Sequence, residues 1–546
     1  MAADWEVLKA SGLTTESLRK FVSDNFGDPG SDLKPVIPAG WSENPPSWMS
    51  NVRDPELREL GTAVHGLWKT LCRQVSSSVL DNTDRHTLLP LPYPFIVPGD
   101  RFRECYNWDS YWVIRGLVAC NMVPAAEQLV RNLLSLVDRW GFVPNGARSY
   151  YTNRSQPPLL SAMVLAVWDA SGDNGLLADA LPRLVAQHTY WTSGNKAVRV
   201  RAASGCQGGA DGAAPGLAAA AGVGSTADVD DCEVFELSRY HAELYEPRPE
   251  SLREDIHLAA SAGLEGDQAA QLYCDIASAA ESGWDFSTRW YVGGSSLEFT
   301  RTTQVIPADL NAWLYRTERD IAAIAAHLGD LQLRDTYTAA AARRRHAMDA
   351  LMWNTVDGCW HDLLLQQPQP DSAVVNTSSE SRPPCSTATT VYDAEQRSGV
   401  YASNWVPLWC GCAASGSAQA AAAVAGLQAS GLIQGGGLLT STYPSGQQWD
   451  APNAWPPLVH MAIEALSEAQ VPGAESAAAE LADRWMRANL VAWHATGAMH
   501  EKYDGYKMGG VGGGGEYEPQ VGFGWSNGVL LTLLQRYGQG DKTSTS

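Results

Sequence analysis

The chain has 546 residues, of which 45% are hydrophobic and 18% charged. This composition predicts a soluble globular protein with enough apolar material for a large core. The formal net charge of −21 excludes a polyanionic partner such as nucleic acid, because no basic block offsets it.

Neither a metal site nor a targeting segment is evident. The ten cysteines include no C-x-x-C pair, and the eleven histidines lack metal-ligand spacing, so we expect no metal and no cofactor. The stretch from Met1 to Lys9 has neither the basic start nor the apolar run of a signal peptide. No uninterrupted apolar run reaches the roughly 18 residues that span a membrane. From the sequence as written, we expect a cytoplasmic protein without a membrane segment.

Apolar residues at spacings of three and four predict helices along most of the chain. In the first half the expected helices are 3–25, 55–74, 110–122, 125–139, 159–171 and 176–192. In the second half they are 264–282, 309–328, 331–353, 402–413, 416–431, 455–469, 473–490 and 526–537.

Two segments interrupt this pattern. Residues 196–230 are dominated by Ala, Gly and Ser, and residues 366–390 by Gln, Pro, Ser and Thr. Such compositions bury too little apolar surface to offset the entropy of ordering, so we expect two flexible loop insertions. Residues 538–546 are expected to form a polar tail.

The order of the elements predicts an all-α fold. We find no βαβ rhythm, and the helices follow one another in pairs joined alternately by short and long loops. About a dozen helices in hairpins would suit a closed α/α ring. The polar and aromatic residues that could act on a ligand concentrate in the long loops, where function usually lies.

The segment from Val97 to Trp112 combines two arginines, three carboxylates and five aromatic residues. Aromatic rings stack on the C–H faces of sugars, while Asp and Arg side chains bind hydroxyls, so this chemistry suits a sugar site. The segment from Gly446 to Pro457 repeats it. The alternative is a helix start whose aromatics are core and whose charges are solvated.

Hydrolysis of a glycosidic bond requires two carboxyl groups. Asp285 lies between Trp284 and Phe286, and burial against them would raise its pKa as an acid catalyst requires. An aspartate that bonds backbone groups in a turn is an equal alternative. Glu501 precedes a glycine-rich run, yet beside Lys502 it would also suit a solvated surface position.

Two long motifs resemble the signatures of trehalases. The residues Pro98-Gly-Asp-Arg-Phe-Arg-Glu104 and Tyr106-Asn-Trp-Asp-Ser-Tyr111 resemble the first, and Gln448-Trp-Asp-Ala-Pro-Asn-Ala-Trp-Pro-Pro457 resembles the second. The resemblance implies an (α/α)6 toroid as a single catalytic domain over 1–546. It also implies inverting hydrolysis of α,α-trehalose to two glucose molecules.

The sequence departs from the family in two places. Asp100 stands where a second Gly usually follows Pro-Gly, and this changes the expected turn. An upstream segment like Asp-Ser-Lys-Thr-Phe, usual in the family, is missing. If a leader precedes Met1, the expected location is therefore extracellular.

The resemblance also implies roles for individual residues. Asp285 matches the general acid and Glu501 the general base. The matched sugar-binding positions are Arg101, Phe102, Trp108, Asp109, Asn145, Arg154, Gln156, Arg248, Glu250, Gly283, Trp449 and Glu516. From the residues alone, the arginines are either bidentate clamps for hydroxyls or members of surface ion pairs.

Two other functions remain as alternatives to trehalose hydrolysis. One is a catalytically impaired sugar-binding protein, and the other is a different enzyme of the same toroid fold, either another inverting glycosidase or a phosphorylase that uses phosphate in place of water. The presence of both carboxylates favours the enzyme, whose partner is a disaccharide.

Overall fold

The computed structural model describes residues 2–99, 101–201, 233–366, 390–515 and 520–539. Asp100, Glu516 and most of the two predicted insertions and of the polar tail lie outside the described residues.

Helices dominate the described residues. They are α1 Ala2–Ser11, α2 Thr15–Asn25, α3 Pro55–Leu71, α4 Ser77–Asp81, α5 Asp109–Ala119, α6 Val123–Trp140, α7 Leu160–Ser171, α8 Asn174–Trp191, α9 Leu252–Ser261, α10 Gly266–Glu281, α11 Ala308–Leu328, α12 Leu331–Leu351, α13 Val406–Trp409, α14 Ala418–Ala429, α15 Pro456–Glu468, α16 Ala474–Thr496 and α17 Gly524–Tyr537.

Short strands form small sheets between the helices. They are β1 Leu33–Pro35, β2 Cys72–Val75, β3 Phe95–Ile96, β4 Ala197–Arg201, β5 Val234–Ser238, β6 Val305–Ile306, β7 Trp353–Asn354, β8 Cys359–Trp360, β9 Leu363–Leu365, β10 Val391–Gln396, β11 Ile433–Gln434, β12 Gly437–Leu438, β13 Asn453–Ala454 and β14 Tyr503–Asp504.

Six helices close an inner ring. Each of α5, α7, α11, α13, α15 and α17 packs against the next, and α17 returns to α5. Helices α3, α6, α8, α12, α14 and α16 alternate with them along the chain, which makes an (α/α)6 toroid. The inner helices are buried over most of their length, as the unbroken buried run from Pro456 to Leu466 in α15 illustrates.

Short and long loops alternate along the chain of ring helices, and the sequence predicted this alternation. The connections that follow inner helices are short, such as 172–173 between α7 and α8 and 329–330 between α11 and α12. The connections that lead into inner helices are long, such as 141–159 before α7 and 497–523 before α17. The long loops therefore collect at one end of the toroid, beside the N-termini of the inner helices.

The predicted helices differ from the observed ones mainly at turns. The expected helix 3–25 is two helices, because Gly12 adopts a φ of 88° and Thr14 caps α2 through the amide of Ser17. Helix α9 was not predicted, and the expected helix 402–413 is reduced to a 3₁₀ turn followed by the four-residue α13.

The five-stranded sheet was also missed. Its strand order is β5-β4-β10-β9-β6, and β4 pairs in parallel with β10, whose residues lie almost two hundred positions further along the chain. Residues 196–201, expected to begin a flexible insertion, instead end a 3₁₀ turn and form β4. Their Val-Arg-Val-Arg alternation is typical of a strand, but the adjoining Ala/Gly-rich composition obscured it.

None of the helices within the described ranges has the length and apolar character needed to cross a bilayer.

Candidate active site

A cavity of about 850 Å³ opens at the end of the toroid where the long loops meet. Every predicted site residue except Glu516, which lies outside the described residues, lines it. These residues are Arg101, Phe102, Trp108, Asp109, Asn145, Arg154, Gln156, Arg248, Glu250, Gly283, Asp285, Trp449 and Glu501. They come from loops hundreds of residues apart, so the toroid brings the two signatures to one site.

Asp285 lies on the loop that follows α10. It is half-buried, whereas its neighbours Trp284 and Phe286 are fully buried. The two rings that flank Asp285 are therefore buried, while its own side chain lines the cavity. The backbone carbonyl of Asp285 accepts a hydrogen bond from Nε2 of Gln448, which joins this loop to the second signature.

Glu501 lies on the loop between α16 and α17 and is only 1% exposed. This burial rules out the solvated surface position that its neighbour Lys502 suggested. The Gln520 amide donates to Oε2 of Glu501 over 3.4 Å, and the Trp525 indole donates to the Glu501 carbonyl over 2.8 Å. Both the carboxylate and the backbone of Glu501 are therefore held in place.

A third carboxyl group, Asp109, shares the cavity at the first residue of α5. Burial raises the pKa of Asp109 to about 8, and the negative charges of Glu501 and Asp285 contribute to the rise. At neutral pH Asp109 is mostly protonated, so it can donate a hydrogen bond to a sugar hydroxyl.

Tryptophans form the floor of the cavity. Trp449 stacks on Trp455 with ring centroids 3.9 Å apart, and Trp108 packs against Trp449 at 5.7 Å. Gly283 has a φ of 74°, and a Cβ there would lie 2.9 Å from the Trp108 ring. Only glycine allows this approach between the Asp285 loop and the floor.

The two buried arginines carry partners that orient them. Nη2 of Arg154 donates to Glu250, and its guanidinium lies 5.1 Å from the Tyr151 ring centroid. Arg248 binds Asp255 through Nε and Nη2, the latter over 2.7 Å. Buried, fixed guanidinium groups suit hydroxyl recognition, and their burial excludes the surface ion pairs weighed from the sequence for these two residues.

Two of the residues that line the cavity also carry buried polar atoms that make no hydrogen bond within the described residues. Nε of Arg154 and Oε2 of Glu250 are buried without a hydrogen-bond partner among the described residues. Buried polar atoms are rarely left unpaired, so these two atoms mark a place where a ligand or water completes the network.

The remaining predicted residues fix the backbone around the cavity. The Trp108 amide donates to Oε1 of Gln156 over 3.2 Å, which ties the first signature to the 141–158 loop. Nδ2 of Asn145 donates to the carbonyl of Ala280 over 3.3 Å. By contrast, Arg101 is exposed at the cavity entrance, where its amide donates to Oε1 of Gln520.

Asp450, in the second signature, holds the Asp285 loop in place through hydrogen bonds. It is fully buried, and its carboxylate accepts hydrogen bonds from the Thr288 amide at 2.8 Å and from the hydroxyls of Ser287 and Thr288. Ser441 and Ser445 donate to it from its own loop. Asp450 thus joins the loop of Asp285 to that of Trp449.

We expect Asp450→Ala to lower kcat for the reaction of this site by about 100-fold, because a small displacement of a catalytic group costs this much. Unfilled donors at Ser287 and Thr288 should also lower the free energy of unfolding by about 1–3 kcal/mol. Steady-state kinetics and denaturant unfolding measure both effects. The exposed Asp335→Ala is the matched control, and a folded Asp450→Ala with unchanged kcat would contradict the anchoring role.

Sequence reasoning missed one wall of the cavity. Residues 25–32, which begin at the last residue of α2, line its entrance together with Arg103 and Arg148. Nη1 of Arg103 donates to the Pro29 carbonyl over 2.6 Å, and Nη1 of Arg148 donates to Asp32 over 3.0 Å. The Asp28-Pro-Gly-Ser turn is an ordinary loop signal, so no local pattern could have placed it here.

Within the described residues, no cluster of three or more His, Cys, Asp or Glu side chains is arranged to hold a metal ion.

Comparisons with known proteins agree with the geometry. The family model "Trehalase" matches residues 3–538. The trehalase of Arabidopsis thaliana is 40% identical over 525 residues, which cover 96% of this chain and 76% of that protein. The human trehalase is 35% identical over 530 residues, or 96% of this chain and 80% of that protein.

Among solved structures, the neutral trehalase of Saccharomyces cerevisiae matches with a TM-score of 0.59 at 24% identity. The match covers 84% of this chain and 79% of the yeast chain, and it supports the shared toroid fold. The family model spans both signatures, Asp285, Glu501 and all twelve ring helices. The chain belongs to the trehalase family.

Proposed function

We propose that this protein hydrolyses α,α-trehalose to two glucose molecules by a single inverting displacement. The observation that carries the proposal is the cavity in which Asp285, Glu501 and Asp109 lie within electrostatic reach of one another among fixed arginines and tryptophans. Its volume of about 850 Å³ is ample for a disaccharide.

Glu501 acts as the general base. A base must be ionised before the reaction, and the carboxylate of Glu501 faces the Lys502 ammonium at 3.6 Å and the Gln520 amide. Its buried position also restricts solvent, so that the carboxylate orients one water molecule. Glu501 takes a proton from that water as the oxygen attacks the anomeric carbon.

Asp285 acts as the general acid. As the new bond to the water oxygen forms, the glycosidic C–O bond breaks, and Asp285 gives its proton to the departing oxygen. After product release, Asp285 regains a proton and Glu501 loses one to solvent, which restores the starting state. The half-buried position of Asp285 suits this exchange, and a bound disaccharide would bury it further.

The remaining cavity residues bind and orient the two glucose rings. Trp108 and Trp449 form the apolar floor beneath the sugar rings, while Arg154, Arg248 and the protonated Asp109 offer donors to hydroxyls. Oε2 of Glu250, buried and unpaired among the described residues, offers an acceptor. Remote contacts of this kind supply the binding energy that holds the scissile bond between the two carboxyls.

The test is ¹H NMR of the products before mutarotation. Both anomeric carbons of trehalose are α, so one inverting displacement releases one α-glucose and one β-glucose. A variant with Asp285→Asn and Glu501→Gln together should release neither. Related α-glucosides such as maltose should be cleaved far more slowly than trehalose.

Other products would contradict the proposal in distinct ways. Two α-glucose molecules would indicate a retaining mechanism, and phosphate-dependent release of a glucose phosphate would indicate a phosphorylase. Binding of trehalose without turnover would indicate a sugar-binding protein, while faster cleavage of another glycoside would indicate a different substrate.

A further inference from the structure

Lys502 is a cation buried beneath the cavity. Its side chain is 0% exposed, and Nζ lies 3.6 Å from Oε2 of Glu501. The ammonium donates to Oε1 of Gln448 over 2.8 Å and lies 4.8 Å from the ring centroid of Trp455. Burial lowers the pKa of Lys502, whereas the negative charge of Glu501 raises it, so the adjacent carboxylate favours the charged form of this buried lysine.

Gln448 connects Lys502 to the loop that carries Asp285. Its Oε1 accepts from Lys502 while its Nε2 donates to the carbonyl of Asp285. A single amide side chain therefore connects the residue after Glu501 with the backbone of Asp285. The pair Lys502–Gln448 therefore fixes the position of the loop that carries Glu501 relative to the loop that carries Asp285.

The glycine-rich run packs directly on this pair. A Cβ at Gly512 would lie 2.8 Å from Cγ of Lys502, and a Cβ at Gly515 would lie 2.7 Å from Oε1 of Gln448. Gly515 also has a φ of 90°. The run therefore covers Lys502 and Gln448 so closely that side chains at these positions would displace them.

The surroundings of Glu501 make a nearby cation important. Glu501 is buried, which disfavours its charged form, and Asp109 on α5 and Asp285 after α10 face the same space, where each adds a repelling negative charge whenever it ionises. Arg101, Arg154 and Arg248 also line the cavity, but Arg154 and Arg248 are already paired with Glu250 and Asp255. The neighbouring His500 bonds Thr496, and burial lowers its pKa, so it adds no charge at neutral pH.

We propose that Lys502 is a positioning residue that keeps Glu501 ionised and, through Gln448, holds the Glu501 and Asp285 loops in the geometry for water attack. The proposal rests on the proposed trehalose hydrolysis and assigns Lys502 no contact with the reacting atoms. An opposite charge at this distance lowers the pKa of a carboxyl group by about 1–3 units. Glu501 therefore stays ionised, and able to act as a base, at a pH where it would otherwise be protonated.

The test is the pH profile of kcat/KM for trehalose in wild type, Lys502→Met, Lys502→Gln, Lys502→Arg and Gln448→Met. In the neutral Lys502 variants, the acidic limb should move to higher pH by about one unit or more. At pH values below the shifted limb, kcat of these variants should be at least about tenfold lower than that of wild type, and it should recover as the pH rises. Lys502→Arg keeps the charge and should keep the wild-type limb.

Gln448→Met separates the two parts of the role. It removes the link to Asp285 but leaves the Lys502 charge, so we expect a lower kcat with an unmoved acidic limb and little change in KM. Folding of each variant is checked by circular dichroism and thermal unfolding.

Three outcomes would overturn the proposal. A neutral variant that loses activity equally at every pH would assign Lys502 a merely structural role. Failure of both neutral variants to fold while Lys502→Arg is fully active would likewise assign a structural role, and neutral variants with wild-type kcat and an unmoved acidic limb would remove any role. If wild type itself does not cleave trehalose, the proposed function fails. An active wild type whose acidic limb does not move in the neutral variants contradicts only the role of Lys502.

Discussion

We expect Glu501→Gln to lose about a thousandfold in kcat for trehalose, with KM nearly unchanged. Glutamine keeps the shape of the side chain and its contact with the Gln520 amide but cannot take a proton from water. General base catalysis contributes about 10²–10⁴-fold, and a single displacement has no other step that could compensate. Initial rates of glucose release, with trehalose binding measured by calorimetry, check both parts.

Asp285→Asn should show an equally large loss on trehalose but a different dependence on the leaving group. α-Glucosyl fluoride needs little protonation of its leaving group, so the variant without the acid should still cleave it. The variant without the base should fail on both substrates. The reverse pattern would exchange the roles of the two residues, and full trehalose turnover by either folded variant would remove that residue from the mechanism.

The second large effect concerns stability at Arg289, four residues beyond Asp285. Its guanidinium is fully buried and binds Asp309 through Nη1 and Nη2 at 2.7 and 2.8 Å and Asp362 through Nε at 2.7 Å. It also lies between Trp284 and Trp290, with ring centroids 4.8 and 4.6 Å away. The network ties the Asp285 loop to the start of α11 and to the residues after β8.

We expect Arg289→Met to lower the free energy of unfolding by about 3–5 kcal/mol, because two buried carboxylates lose their counter-charge. Chemical denaturation followed by tryptophan fluorescence measures the change. Arg334→Met, whose surface ion pair with Asp335 is largely solvated, is the matched control and should change stability by no more than about 1 kcal/mol. Equal stability of the two variants would show that the buried network contributes little.

Much of the candidate active site was predictable because its residues occur in contiguous motifs. The first signature contains Arg101 to Asp109 and the second contains Trp449, and each combines residue types that sugars require. Helix periodicity also revealed most of the helices, since a helix such as α15 is apolar over a long stretch, whereas the closed ring was implied only by the resemblance. The alternation of short and long loops placed the functional residues at one end.

Other features depended on contacts between distant positions. The expected insertion at 196–201 is strand β4 because β10, far along the chain, pairs with it. The Glu501–Lys502 dipeptide has the composition of a surface turn, and only packing under α17 and the glycine-rich run buries it. Residues 25–32 reach the cavity through Arg103 and Arg148, which no local pattern indicates.

The sequence by itself determined the helical class, the order of the helices along the chain and the residue types of the sugar site, because these depend on local spacing and composition. Only the tertiary structure decided which charges are buried, which partners orient Arg154 and Arg248, and how Lys502 and Gln448 connect the two catalytic loops. Burial and pairing arise when the ring closes and brings loops hundreds of residues apart into contact. The pKa values of the carboxyl groups depend on that contact, and with them the chemistry that we propose.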